Sequence, residues 1–220
     1  MQYEIKGETM QTLTVELLAD ESVYAGPGKM LWMDQDIKMS ANVKGGVAKG
    51  IRRVLSGESL ALTSFQASRR GKLGFAPLAP GKVLPLEVSA SKQYICQKDA
   101  FMAAEDSVDL DIHIQKKIMT GLFGGEGFIM QKLSGHGMAF VDIIGDVVEF
   151  DLAPGEQLKV DTSHVALMES TVSMDIERVK GIRTIFLSGE GLFLTRLTGP
   201  GKVWVQTLSI ANLAGMLEKK

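Results

Sequence analysis

The stretch Gly125-Glu126-Gly127-Phe128-Ile129-Met130-Gln131-Lys132-Leu133-Ser134-Gly135-His136-Gly137 decides how the chain is read. A glycine landmark opens a short alternating run, and a second glycine turn closes it. The opening motif recurs as Gly57-Glu58-Ser59-Leu60, 68 residues earlier, and as Gly189-Glu190-Gly191-Leu192, 64 residues later. Each copy leads into an alternating run, Leu60-Ala61-Leu62-Thr63-Ser64-Phe65 and Leu192-Phe193-Leu194-Thr195-Arg196-Leu197. Each run ends near a second turn, at Gly71-Lys72-Leu73-Gly74 and Gly199-Pro200-Gly201. Alternation at this length signals half-buried strands, and glycine supplies the left-handed backbone that tight turns need.

The pattern continues upstream. Met30-Leu31-Trp32-Met33, Ala100-Phe101-Met102-Ala103 and Val165-Ala166-Leu167-Met168 precede the landmarks. The period-two segments Ile37–Ala41, Val108–Ile112 and Val172–Ile176 follow them. Ala79-Pro80-Gly81-Lys82 matches Ala153-Pro154-Gly155-Glu156. The expected architecture is all-β, with three repeats at 8–77, 78–146 and 147–208. Each is read as a β-sandwich or double-stranded-β-helix-like unit, and the three are expected around a pseudo-threefold axis. A unit of about 65 residues buries too little surface to be secure alone, so neighbours must shelter one another's faces. Residues 209–220 predict one short helix: Ser209 suits the N-cap, Ile210, Leu213, Ala214 and Leu217 form a stripe, and Lys219 and Lys220 suit the C-terminal dipole.

Composition bounds the function. Of 220 residues, 24 are glycine, about 11% against a usual ~7%, which fits a chain of many turns. Lys and Arg number 24 against 26 Asp and Glu, a net charge of −2, which argues against bulk nucleic-acid binding. The single Cys96 cannot make an intramolecular disulfide. The N-terminus carries no basic and apolar leader, and Asp142, Asp146 and Glu149 interrupt the most apolar tract, Met138 to Phe150. The expected location is cytoplasmic.

Three segments carry a resemblance. Gln97-Lys98-Asp99-Ala100-Phe101, the run Gly121-Leu122-Phe123-Gly124 leading into the stretch quoted first, and Gly189–Leu194 with Leu197-Thr198-Gly199-Pro200-Gly201 resemble the altered-inheritance-of-mitochondria (mitochondrial biogenesis) family, whose bacterial members are uncharacterised. The resemblance covers nearly the whole chain. It implies a fold like that of the tryptophan RNA-binding attenuation protein (TRAP-like) and a homotrimer whose units close into a nine-unit ring. It brings no catalytic residues.

Chemistry-bearing candidates are few. Asp109, Asp111 and His113 fall on one face of an expected strand, where two carboxylates and an imidazole can seed a divalent metal site; an ordinary polar face is the blander reading. His113, His136 and His164 supply no His-x-His pair of the cupin type. No G-x-S-x-G elbow is present, and Gly26-Pro27-Gly28-Lys29 lacks the spacing of a P-loop. Three tracts mix basic and apolar residues: Lys49, Arg52 and Arg53 in the first repeat, Lys116 and Lys117 in the second, Lys180 and Arg183 in the third. Gathered on one rim, they would attract anionic headgroups or phosphates; as connectors, they would enter subunit contacts. The function expected is a non-enzymatic oligomeric scaffold or binding protein without a cofactor, its partner another copy of itself. The alternative is a binder of anionic lipid surfaces or phosphate ligands through the basic-apolar loops, with RNA binding a weaker third option.

Overall fold

Thr12–Leu17 shows why these residues make sheet: Leu13, Val15 and Leu17 are buried while Thr12, Thr14 and Glu16 stand at half-buried positions between them. Only an extended strand separates neighbours in this way. The same logic runs through a computed structural model that describes residues 1–42, 62–116, 128–178, 193–210 and 212–213. The landmark glycines Gly57, Gly125 and Gly189 lie outside the described residues.

The chain is all-β and antiparallel. After β1 (Gln2–Lys6) come three runs of six strands. The first is β2 (Thr12–Leu17), β3 (Ser22–Ala25), β4 (Met30–Met33), β5 (Ile37–Asn42), β6 (Leu62–Ala67) and β7 (Gly71–Phe75). The second is β8 (Gly81–Val88), β9 (Tyr94–Gln97), β10 (Phe101–Glu105), β11 (Val108–Lys116), β12 (Phe128–Gly135) and β13 (Gly137–Ile144). The third is β14 (Val147–Leu152), β15 (Gln157–Asp161), β16 (Val165–Glu169), β17 (Ser173–Arg178), β18 (Phe193–Thr198) and β19 (Gly201–Gln206).

Pairing follows one scheme in all three runs. The first strand of a run pairs with its last (β2 with β7, β8 with β13, β14 with β19). The third strand flanks that last strand on its other side, across a register shift (β4 on β7, β10 on β13, β16 on β19). The second and fourth strands flank the fifth. Runs are then stitched together: β3 pairs with β10, and β9 with β16. The resulting sheets are β1-β2-β7-β4, β5-β6-β3-β10-β13-β8, β11-β12-β9-β16-β19-β14 and β15-β18-β17.

A carboxylate recurs at the turn into each run's last strand. Asp34 accepts the Lys72 N–H at 2.8 Å, Glu105 accepts the Met138 N–H at 2.7 Å, and Glu169 accepts the Lys202 N–H at 3.0 Å. The residue before each donor is glycine, and two of these need to be: Gly137 has φ +126° and Gly201 has φ +135°. A Cβ on Gly137 would lie 2.5 Å from Glu105 Oε2.

The core is shared between runs. One cluster combines Leu13, Val15, Phe65 and Phe75 with Val83, Met102 and Phe140. Another sets Ile95, Phe128 and Met130 against Val165, Leu197 and Val203. A third joins Tyr24 and Phe101, stacked at 5.5 Å, to Val141 and Leu167. Pulling one run away would therefore expose apolar surface on its neighbour, at about 25 cal/mol per Å². At the far end, Ser209 Oγ accepts the Asn212 N–H and Ser209 O accepts the Leu213 N–H, which starts the expected helix; Ala211 and the residues from Ala214 onward lie outside the described residues.

Candidate functional site

The acidic and histidine trio expected on a strand is on β11. Asp109 stands opposite Ser134 and Asp111 opposite Lys132, and the register shifts between Ile112 and Ile114, where His113 sits. The His113 imidazole is held below its usual pKa, first by desolvation and then by the Lys132 ammonium. A cation facing Asp111 disfavours a divalent metal at this place. Among the described residues no three His, Cys, Asp or Glu side chains gather closely enough to hold one. Of the basic tracts, only Lys116, at the end of β11, is described; Lys49, Arg52, Arg53, Lys117, Lys180 and Arg183 lie outside the described residues.

Other reactive side chains have structural partners. Cys96 is buried on β9, and burial, followed by the nearby Asp142 charge, pushes its thiol pKa up to about 12. Such a thiol is no nucleophile at neutral pH. His164 Nδ1 lies 2.7 Å from the Gln206 carbonyl, and its Nε2 lies 3.5 Å from Asn212 Nδ2.

The strongest polar feature is one that sequence reasoning missed. Lys29, just before β4, donates to both carboxylate oxygens of Asp142 on β13 at 2.8 Å, and to the Asp99 carbonyl at 3.0 Å. Lys29 is 3% exposed and Asp142 2%. Burial is the largest influence on Asp142 and raises its pKa to about 6 against the attraction of Lys29. The signal was in the sequence: an aspartate inside the apolar tract Met138–Phe150 has to find a cation once that tract is buried.

Two strand edges break the stitching. β10 and β16 are the third strands of their runs, and their outer edges are covered by β3 and β9. β4 is the corresponding strand of the first run, and it is the last strand of its sheet. Its four residues are exposed: Met30 39%, Leu31 55%, Trp32 41% and Met33 37%. The matching positions in β10 and β16, Phe101 to Ala104 and Val165 to Met168, are buried. At the other end β15 corresponds to β3 and β9, and among the described residues it pairs with β18 alone and leaves its other edge open. Four of its five residues (Gln157, Lys159 and, in part, Leu158 and Asp161) remain accessible, whereas β9 is buried throughout.

No helix among the described residues is long and apolar enough to cross a membrane. Comparison with known proteins agrees with this architecture. An uncharacterised protein of Streptococcus pyogenes serotype M6 is 29% identical over 214 residues, which is 93% of this chain and 84% of that protein. The crystal structure of a Streptococcus pyogenes protein superposes with a TM-score of 0.83 at 25% identity, covering 99% of this chain and 98% of the other. The family model described as Mitochondrial biogenesis AIM24 matches residues 3–208, a span that takes in β2 to β19 and with them both open edges, so the chain belongs to the mitochondrial biogenesis AIM24 family.

Proposed function

We propose that the chain is a non-enzymatic scaffold that assembles head to tail, the open edge of β15 in one copy pairing with the open edge of β4 in the next. The observation that carries this reading is the pairing series itself. β3–β10 and β9–β16 join the second strand of one run to the third strand of the following run, and β15 and β4 are the two members of that series left without such a partner among the described residues. In the covered pairs, Ala25 faces Ala103 and Cys96 faces Leu167. Carried over in the same register, Val160 of one copy faces Trp32 of the next. Each junction would cover the exposed Leu31, Trp32 and Met33 and satisfy two rows of backbone groups.

Such a contact joins two different surfaces, so it must close into a ring or run on as a filament. In this reading the three runs are TRAP-like units about a pseudo-threefold axis, and three copies close a nine-unit ring. The non-enzymatic part rests on how the described polar side chains are used. Cys96 is buried, Asp142 is neutralised by Lys29, and Asp34, Glu105 and Glu169 hold backbone amides. A ring of this kind offers many identical positions to a partner and gains avidity from them.

Native mass spectrometry of the intact protein tests the assembly. The expected species is a closed homotrimer, unchanged on dilution through the micromolar range. A monomer at every concentration would contradict it.

A further inference from the structure

The first strand of each run leaves one edge free, and the three runs treat that edge differently. On β2 it is occupied: β1 adds antiparallel, with Gln2 opposite Glu16, Glu4 opposite Thr14 and Lys6 opposite Thr12. Tyr3 meets the Phe140 ring edge-on at 5.0 Å, and Ile5 packs against the core. On β8 the edge is closed. The outward N–H of Val83 donates to Gln11 Oε1 at 2.8 Å, and Gly81 O accepts the Gln11 N–H. Two residues further, on the same outward side, stands Pro85, which has no N–H to offer.

On β14 no described residue covers the edge. Its outward amides are at Val147, Glu149 and Asp151, by the period-two rule, and Ala153 continues that side just past the strand. Val147 N–H is capped by Asp146 Oδ1 at 2.9 Å, and Ala153 N–H by Glu156 Oε2 at 2.8 Å. Between these caps, the N–H groups of Glu149 and Asp151 have no partner among the described residues. Glu149 stands where β8 has Pro85 and β2 has Thr14, each three positions before the residue opposite a run's turn glycine. On the inner face, Val148 is 43% exposed and Phe150 is half-buried. On the outer face stand Glu149, which pairs with Lys202 and accepts the Trp204 N–H at 2.8 Å, and Asp151, which lies opposite Lys202; the capping carboxylates Asp146 and Glu156 flank the strand at its two ends.

We propose that β14 is a strand-addition site for an extended segment of a partner protein in which apolar and basic side chains alternate. The backbone of such a segment would complete the ladder as β1 does on β2. Its apolar residues would lie beside Val148 and Phe150, and its Lys or Arg residues beside Glu149 and Asp151. The site uses neither β4 nor β15, so it stands apart from the assembly proposed above.

The probe is a fluorescent, N-acetylated peptide of residues 1–6 carrying Gln2→Lys and Glu4→Lys, which places its lysines opposite Asp151 and Glu149. Fluorescence anisotropy against the full chain is expected to show saturable binding. Glu149→Pro copies what β8 already does; it removes the outward N–H together with the carboxylate that holds Lys202 and the Trp204 N–H, so it should weaken binding about ten-fold or more with an unchanged native mass. Glu149→Lys with Asp151→Lys keeps both amides and reverses the charge. It should weaken binding of this peptide and strengthen that of the same peptide with glutamates in place of the lysines; this variant decides the matter if the proline variant fails to fold. Absence of saturation at millimolar peptide, or equal affinity for all three proteins, overturns the proposal. So does a lower native mass for Glu149→Pro, which would make β14 a contact between copies of this chain.

Discussion

Asp142→Ala is expected to destabilise the chain by about 3–5 kcal/mol, because it leaves the buried Lys29 ammonium without its carboxylate. For a chain of this length that corresponds to a fall in melting temperature of roughly 6–20 °C. Lys29 cannot relieve the loss by reaching water, since it is 3% exposed and already holds the Asp99 carbonyl. Removing both charges avoids the orphaned ion: Lys29→Met with Asp142→Leu should recover most of the loss, since buried pairs replaced by apolar residues of similar volume are often neutral. Lys29→Met alone behaves differently from Asp142→Ala, because a stranded carboxyl can take up a proton. Burial already lifts Asp142 to about 6, and losing the Lys29 attraction lifts it further. Above pH 6 the native variant then holds more proton than the native unsubstituted chain, so the stability gap widens as pH rises and narrows toward pH 5. Differential scanning fluorimetry of the three variants from pH 5 to pH 8 checks this. A gap for Lys29→Met that does not change with pH would contradict the buried pair.

If the proposed head-to-tail assembly forms, Trp32→Asp is expected to dissociate it into monomers without unfolding them. Trp32 lies over Gly74, where a Cβ on the glycine would come within 2.2 Å of the indole nitrogen, and the tryptophan remains 41% exposed. A large half-exposed aromatic at an interface is the kind of residue on which binding energy concentrates. A charge there costs little in the separated chain, where water reaches it. In the proposed ring it would be buried without a partner. Light scattering should report a single-chain mass for the variant, with far-UV circular dichroism unchanged. An intact oligomer would show that β4 is not the seam.

What the sequence disclosed follows from what alternation encodes. The runs at Ile37–Ala41, Val108–Ile112 and Phe128–Leu133 are strands because period two leaves no other way to separate their faces, and all three segments lie in β5, β11 and β12. Alternation assigns faces but not neighbours. Met30-Leu31-Trp32-Met33 reads as apolar as Val165-Ala166-Leu167-Met168, yet the first is exposed and the second buried, and only long-range pairing separates them. The same limit hid Lys29, whose partner lies 113 residues away, and the difference between Pro85 and Glu149 on corresponding edges. Asp109 and Asp111 lie on β11 with His113, but the register of the strand shifts at His113. Lys132, on the adjacent strand opposite Asp111, is a neighbour that spacing along one strand cannot reveal.

Pairing of β4 with β15 across copies is tested most directly by a cysteine pair. Trp32→Cys with Val160→Cys places two thiols opposite each other in the register carried over from β3–β10 and β9–β16, while the native Cys96 stays buried and unreactive. After mild oxidation, non-reducing electrophoresis should show covalent dimers and trimers from the double variant, and single chains from either variant alone. Single chains throughout, or the same ladder from one substitution, would contradict the head-to-tail seam.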